Sequence, residues 1–177
     1  MKKDLIIHFS FITSFFLLTA LLRGWLDVSY LPFFLGGILG TILPDTDHLI
    51  YIYFLRPKEA ISQKATELFG KRQVIKAMEF LSRTRSQRTK LIFHTAYFQM
   101  LFLALSFLVI TSSGSLLGRG IVLAFSLHLL IDSYIDYSST GSLANWFRDV
   151  PITLNKNQEK ALFIILFVLL LVFGVFL

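Results

Sequence analysis

The sequence predicts an all-α fold, a polytopic membrane bundle of about five helices in one domain spanning residues 1–177. Three observations predict it. Apolar residues make up 55% of the 177-residue chain and mean hydropathy is +0.68, more than a soluble domain of this size can bury. The apolar residues fall in runs nearly free of charge: 5–22, roughly 29–43, 91–110, 116–135 and 161–177. Finally, Lys and Arg concentrate on alternate connecting segments.

A helix rises about 1.5 Å per residue, so about 20 residues cross a hydrocarbon core about 30 Å thick. The first run follows Met1-Lys2-Lys3 and lacks a small-x-small cleavage site before Arg23, so it reads as an uncleaved helix. The second is short and holds Gly36, Gly37 and Gly40, which suits a tilted, closely packed helix. Residues 58–84 place Ile61, Ala65, Leu68, Ile75, Met78 and Leu81 at helical spacing with Lys and Arg between them. They read as a basic amphipathic helix or helix pair, divided at Gly70, within an insertion over 58–90. This segment either lies on the membrane surface against anionic headgroups or docks on the bundle. Trp146 and Phe147 are expected at the membrane interface.

The N-terminus, segment 44–90 and segment 136–160 carry fifteen of the seventeen Lys and Arg residues; the turns at Arg23 and Arg119 carry one each. The positive-inside rule then places the N-terminus and the two basic segments in the cytoplasm. The net charge of +6 is explained by this topology and by anionic lipid, without nucleic acid as a partner.

The polar residues inside this frame share one level. His8 begins the first helix, Pro44-Asp45-Thr46-Asp47-His48 closes the second, His94 opens the third, and His128 and Asp132 end the fourth, followed by Asp136. Helix rise puts them within roughly 10–12 Å of the cytoplasmic boundary. Charged groups in a bilayer are costly unless paired or metal-bound, so they are functional candidates. His128 and Asp132, four apart, share a helix face. With no cysteine, the strong ligands are His, Asp and Glu. His8, Asp45, Asp47, His48, His94, His128 and Asp132 are therefore the candidate metal ligands, for zinc, or manganese or iron, in one or two sites. Asp45 is also the candidate catalytic base, and Arg85, Arg88 or Lys90 the candidate partner of an anionic headgroup. Each has an ordinary alternative: His8 as an interface residue, Asp45-Thr46-Asp47 as a turn after Pro44, His128–Asp132 as a structural pair.

Leu43-Pro44-Asp45-Thr46-Asp47-His48, a His opening a later helix, and His128-x-x-x-Asp132-Ser133 with Thr140-Gly141 downstream resemble the YdjM-like (LexA-regulated) membrane-bound metal-dependent hydrolase family. The resemblance runs from His8 to about Trp146. It implies a prokaryotic cytoplasmic (inner) membrane protein, and its similarity to the His/Asp pattern of zinc-dependent phospholipase C implies a phosphoester or lipid-like substrate. One stretch departs from it. Where the family shows His-Arg-Gly-x-Thr-His-Ser, this chain has Thr89-Lys90-Leu91-Ile92-Phe93-His94-Thr95. His94 matches the second His, while Thr89 and Leu91 replace the first His and the Gly. Two further readings compete with the hydrolase: a non-catalytic membrane protein with a structural metal, and a metal or proton carrier. The carrier lacks ionisable residues in the outer half of the predicted helices.

Overall fold

A computed structural model describes residues 2–88 and 90–175. Thr89, the departure noted above, lies outside them. The described residues form helices joined by short connections, with no strand among them. In chain order the helices are α1 (Lys2–Arg23), α2 (Leu31–Ile42), α3 (Thr46–Ile50), α4 (Ala60–Gly70), α5 (Val74–Arg83), α6 (Ala96–Ser112), α7 (Leu116–Thr140) and α8 (Lys156–Val175).

Among the described residues, four helical stretches are long and apolar enough to cross a membrane: Ile6–Arg23, Val28–Leu55, Leu116–Thr140 and Lys156–Val175. α6 is apolar but shorter, with 17 residues.

The central helix is α7, buried along most of its length and packed against α1, α2, α6 and α8. Its tightest partner is α2, and glycine is the reason. A Cβ on Gly36 would run into the Leu117 carbonyl, one on Gly40 into the Ile121 carbonyl, and one on Gly120 into the Phe33 carbonyl. Backbone thus meets backbone along a small-xxx-small stripe, the usual device for close helix contact in membranes. The close packing expected of the Gly-rich second run is present.

That run is longer than the sequence suggested. Pro44 does not end it. The chain tightens to a 3₁₀ turn over Leu43–Asp45, continues as α3, and widens to a π turn over Tyr51–Leu55. Pro44 removes one backbone donor, and the Thr46 hydroxyl donates 2.6 Å to the Leu43 carbonyl beside it. The result is one helical stretch of 28 residues, Val28–Leu55, in place of a short helix with a ligand-bearing turn.

The third run is shifted the other way. Residues 91–95 are not helical, and α6 starts at Ala96 with Thr95 as its cap, the side chain accepting from the Phe98 amide. His94 therefore precedes the helix instead of lying one turn inside it. α7 runs to Thr140, beyond the expected end at 135, and is closed by Gly141 in the left-handed region (φ 74°).

α4 and α5 form a hairpin, separated just after Gly70 by Arg72 in the left-handed region (φ 59°). The hairpin docks on the bundle: Ala65 and Leu81 pack with Tyr51, Ile52 and Leu91. Ile75 and Met78, expected on the same apolar face, remain 79% and 48% exposed. Trp146, expected at the membrane interface, is buried among other side chains. It packs in a cluster with Phe125, Leu129 and Leu143, because the loop after α7 folds back over the α6 entrance.

Candidate metal centre

Asp132 is the centre of the polar cluster. Its carboxylate is 1% exposed and sits on the inward face of α7. Oδ1 lies 2.9 Å from His8 Nε2 and 2.8 Å from the Arg85 guanidinium. Oδ2 lies 2.8 Å from His94 Nε2 and 3.3 Å from His128 Nε2. Three imidazoles from α1, α7 and the turn before α6 thus present Nε2 to one carboxylate. The His8 and His128 rings pack with centroids 4.6 Å apart.

A second carboxylate supports the first. Asp47 is fully buried and accepts from three successive backbone amides, Ile92 at 3.0 Å, Phe93 at 2.7 Å and His94 at 3.3 Å. Its Oδ2 is also 3.0 Å from His94 Nδ1. One Asp therefore satisfies the donors of an irregular segment that has no helix to do so, and it fixes the ring whose other nitrogen faces Asp132. Arg148 holds the same segment from outside, donating to the Leu91 carbonyl and, at 3.5 Å, to the His94 carbonyl. The Ala96 amide donates 2.8 Å to the Trp146 carbonyl.

Asp45 and His48 occupy other faces of the α3 region. Asp45 Oδ1 is 3.7 Å from His128 Nε2, and its side chain is 48% exposed. His48 stacks on His94 with centroids 5.1 Å apart.

Arg85 is an unanticipated member of the group. It donates to Asp132, and its Nε lies 3.0 Å from Asp136 Oδ1. Burial works against its charge, but the two carboxylates outweigh burial and hold the guanidinium above its ordinary range. Trp146 Nε1 donates to the other oxygen of Asp136 at 2.8 Å. Arg88 is 2% exposed, bonded to the Leu81 carbonyl and the Thr84 hydroxyl. Burial and the neighbouring Arg85 lower its pKa to about 10. Of the three cations suggested for a headgroup, Lys90 is exposed.

The structure thus brings together His8, His94, His128 and Asp132, with Asp47 behind His94, His48 stacked beside it and Asp45 at the edge. Sequence reasoning missed Arg85 as the partner of Asp132 and Arg148 as the clamp on residues 91–94. A cation within one α7 turn of paired aspartates would have been a signal for neither, since both come from distant segments.

Two features show that the residues suit a metal ion. One donor atom each from His8, His128 and Asp132 lies within 4.8 Å of the others, the span of ligands around a single ion. Also, His48 Nδ1 and both nitrogens of His128 are buried without a hydrogen-bond partner, although His128 Nε2 is near two carboxylates. Its contacts have the distance of an ion pair but not the direction of a hydrogen bond. Unsatisfied buried imidazole nitrogens are uncommon, and a metal uses such lone pairs.

Fold and site together define an all-helical protein with helices long and apolar enough to span a membrane and a buried His/Asp group that could hold a metal ion. The chain matches no family model, no curated protein and no solved structure.

Proposed function

We propose that this is a membrane-bound metal-dependent hydrolase acting on a phosphoester or lipid-like substrate at the cytoplasmic membrane face, in line with the resemblance to the YdjM-like family. The observation that carries this reading is the convergence of the His8, His94 and His128 imidazoles on Asp132 at one end of a membrane bundle.

His8, His128 and Asp132 would hold the ion, with His94 as the fourth ligand. Zinc suits this N/O donor set, and manganese or iron are compatible with it. When bound, such an ion supplies a Lewis acid and lowers the pKa of water. The remaining functions belong to the chain. Asp47 orients the His94 ring through Nδ1, as carboxylates behind metal-binding histidines do. Asp45, half-exposed and 3.7 Å from His128 Nε2, is placed to take a proton at the open side. Lys90 is the exposed cation available to an anionic headgroup. The alternate-loop charge count supports the cytoplasmic placement of this end.

The test is metal analysis and turnover on purified protein. About one equivalent of zinc is expected, lost in His128→Ala, together with chelator-sensitive hydrolysis of a phospholipid phosphoester in mixed micelles. Less than one equivalent of any transition metal, unchanged in His128→Ala, overturns the proposal.

A structural metal is the second reading, favoured by one observation: the group joins α1, α7 and the turn before α6 in a buried position. It predicts that Asp132→Ala lowers thermal stability in a protein that hydrolyses no phospholipid in any metal-loaded state.

A further inference from the structure

A groove of about 370 Å³ between α1 and α2 has no part in the metal reading. Its walls include Ile12, Thr13 and Phe16 of α1 and Gly37, Ile38 and Thr41 of α2. The Phe16 ring occupies the space that a side chain at position 37 would need, so Gly37 and Phe16 together shape the apolar floor. Both walls belong to stretches long and apolar enough to cross a membrane, Ile6–Arg23 and Val28–Leu55. Leu17, Ile38 and Ile42 along the rim are 48%, 59% and 58% exposed. With these stretches in a bilayer, the groove mouth would face hydrocarbon.

Its direction matters more than its polarity. Ile12 lies four residues after His8 and Phe16 four after Ile12, so the α1 wall is the continuation of the His8 face. On the other side Thr41 lies four residues before Asp45, whose carboxylate approaches His128. Both walls thus lead into the metal centre, one at His8 and the other at Asp45. The lining runs from Phe9 to Leu17 and from Phe34 to Ile42, about 12 Å of helix rise on each side. One leaflet of hydrocarbon is about 15 Å deep, half of the core.

Size selects the occupant. A volume of about 370 Å³ along about 12 Å of helix has room for a single extended methylene chain.

We propose that this groove holds one acyl chain of a membrane phospholipid and thereby delivers the phosphoester end of that lipid to the mouth between His8 and Asp45. The slot names the substrate class for the hydrolase reading above, and only the fate of the phosphoester rests on that reading.

The experiment uses the full chain in phosphatidylcholine vesicles containing phosphatidylglycerol with a diazirine midway along one acyl chain. After irradiation, adducts are mapped by mass spectrometry, and zinc content is measured on the same preparations. Adducts are expected to concentrate on Ile12, Thr13 and Ile38, at least threefold above Leu101 and Leu105 of α6, which are 60% and 46% exposed and serve as ordinary lipid-facing controls. Thr13→Phe and Ile38→Trp, on opposite walls, should each lower groove adducts at least threefold and leave bound zinc unchanged. His128→Ala should lose zinc and keep the adducts. Uniform labelling of groove and α6, or groove labelling insensitive to both filling variants, overturns the slot even if zinc binds. Groove labelling in a wild-type protein that binds no metal upholds the slot and overturns the hydrolase reading alone.

Discussion

Asp47 and Asp132 are both buried aspartates among histidines, yet they do different work. Asp132 faces three imidazoles and Arg85, so its charge is balanced by side chains. Asp47 faces three backbone amides, so its first role is to satisfy an irregular segment. Replacing Asp47 with Ala leaves those donors unpaired, the His94 amide in a buried position, where a lost partner costs about 1–3 kcal/mol. It also frees the His94 ring. We expect Asp47→Ala to lower the melting temperature sharply and, on the metal reading proposed above, to weaken zinc binding about 10–100-fold, read by thermal scanning and by competition with a chelating dye. Asp47→Asn should recover part of the stability, since its carbonyl still accepts. At Asp132 the expected loss is larger in binding: Asp132→Asn removes the common partner of three imidazoles and leaves the Arg85 charge with Asp136 alone. Zinc retained at wild-type affinity in Asp132→Asn, by the same dye competition, would refute the placement of Asp132 at the centre. The sequence made both residues candidates because an aspartate at membrane depth is costly. It did not separate them, because the difference lies in which distant segment each one meets. Asp47 follows Asp45 by two positions, about 200° around a helix; once Pro44 is known to lie within a continuous helical stretch, the two must point apart.

At the scale of elements, the legible features were those with a local cause. Apolar length marked α1, α7 and α8, and the Gly36, Gly37, Gly40 cluster marked a helix in close contact. The boundaries that failed were decided by tertiary partners. Pro44 reads as a stop, but a 3₁₀ turn and the Thr46 hydroxyl carry the helix through it. Leu91-Ile92-Phe93 reads as helix because it is apolar, but the Ile92 and Phe93 amides are claimed by Asp47 and the Leu91 carbonyl by Arg148, both far away in the chain. The α2/α7 contact yields the clearest element-level prediction. A side chain at position 40 or 36 must displace the backbone of α7, not a flexible neighbour, a form of overpacking that costs at least about 1–3 kcal/mol. Gly36→Val and Gly40→Val should therefore aggregate in detergent or melt well below wild type. Gly114→Ala, where a Cβ meets only open space, should be neutral. Equal melting curves for Gly40→Val and Gly114→Ala in size-exclusion and thermal assays would contradict the packing described. The consequence for function is positional: α2 carries Asp45, Asp47 and His48 at its extension, and α7 carries His128 and Asp132, so the glycine contact sets their relative depth.

For the whole molecule, the decisive property of the proposed function is which side of the membrane the candidate metal centre would face. The loop charges divide fifteen to two, and the fold keeps the groups apart: the α4–α5 hairpin lies at the Asp47 end, packed on Tyr51, Ile52 and Leu91, while Arg119 lies beside the short turn between α6 and α7, its Nε donating to the Ser113 carbonyl. The hairpin supplies five of the ten basic residues of segment 44–90, and it adds exposed apolar residues (Val74, Ile75 and Met78) beside Lys71, Arg72 and Lys76. Such a surface stays at an interface and does not cross it. On the function proposed above, the positive-inside rule would put the hairpin, and with it His8, His94, His128 and Asp132, toward the cytoplasm. The absence of cysteine from the chain makes this directly measurable. In a bacterial inner membrane, Gln63→Cys on α4 should react with a membrane-impermeant maleimide only after the cells are opened, whereas Gly114→Cys in the α6–α7 turn should react in intact cells. Both positions are exposed, so neither result depends on burial. The reverse pattern would place the metal centre on the outer face and remove cytoplasmic phosphoesters from its reach. Labelling of both positions from outside would mean that an odd number of crossings separates them no longer, and that α6, at 17 residues, fails to span.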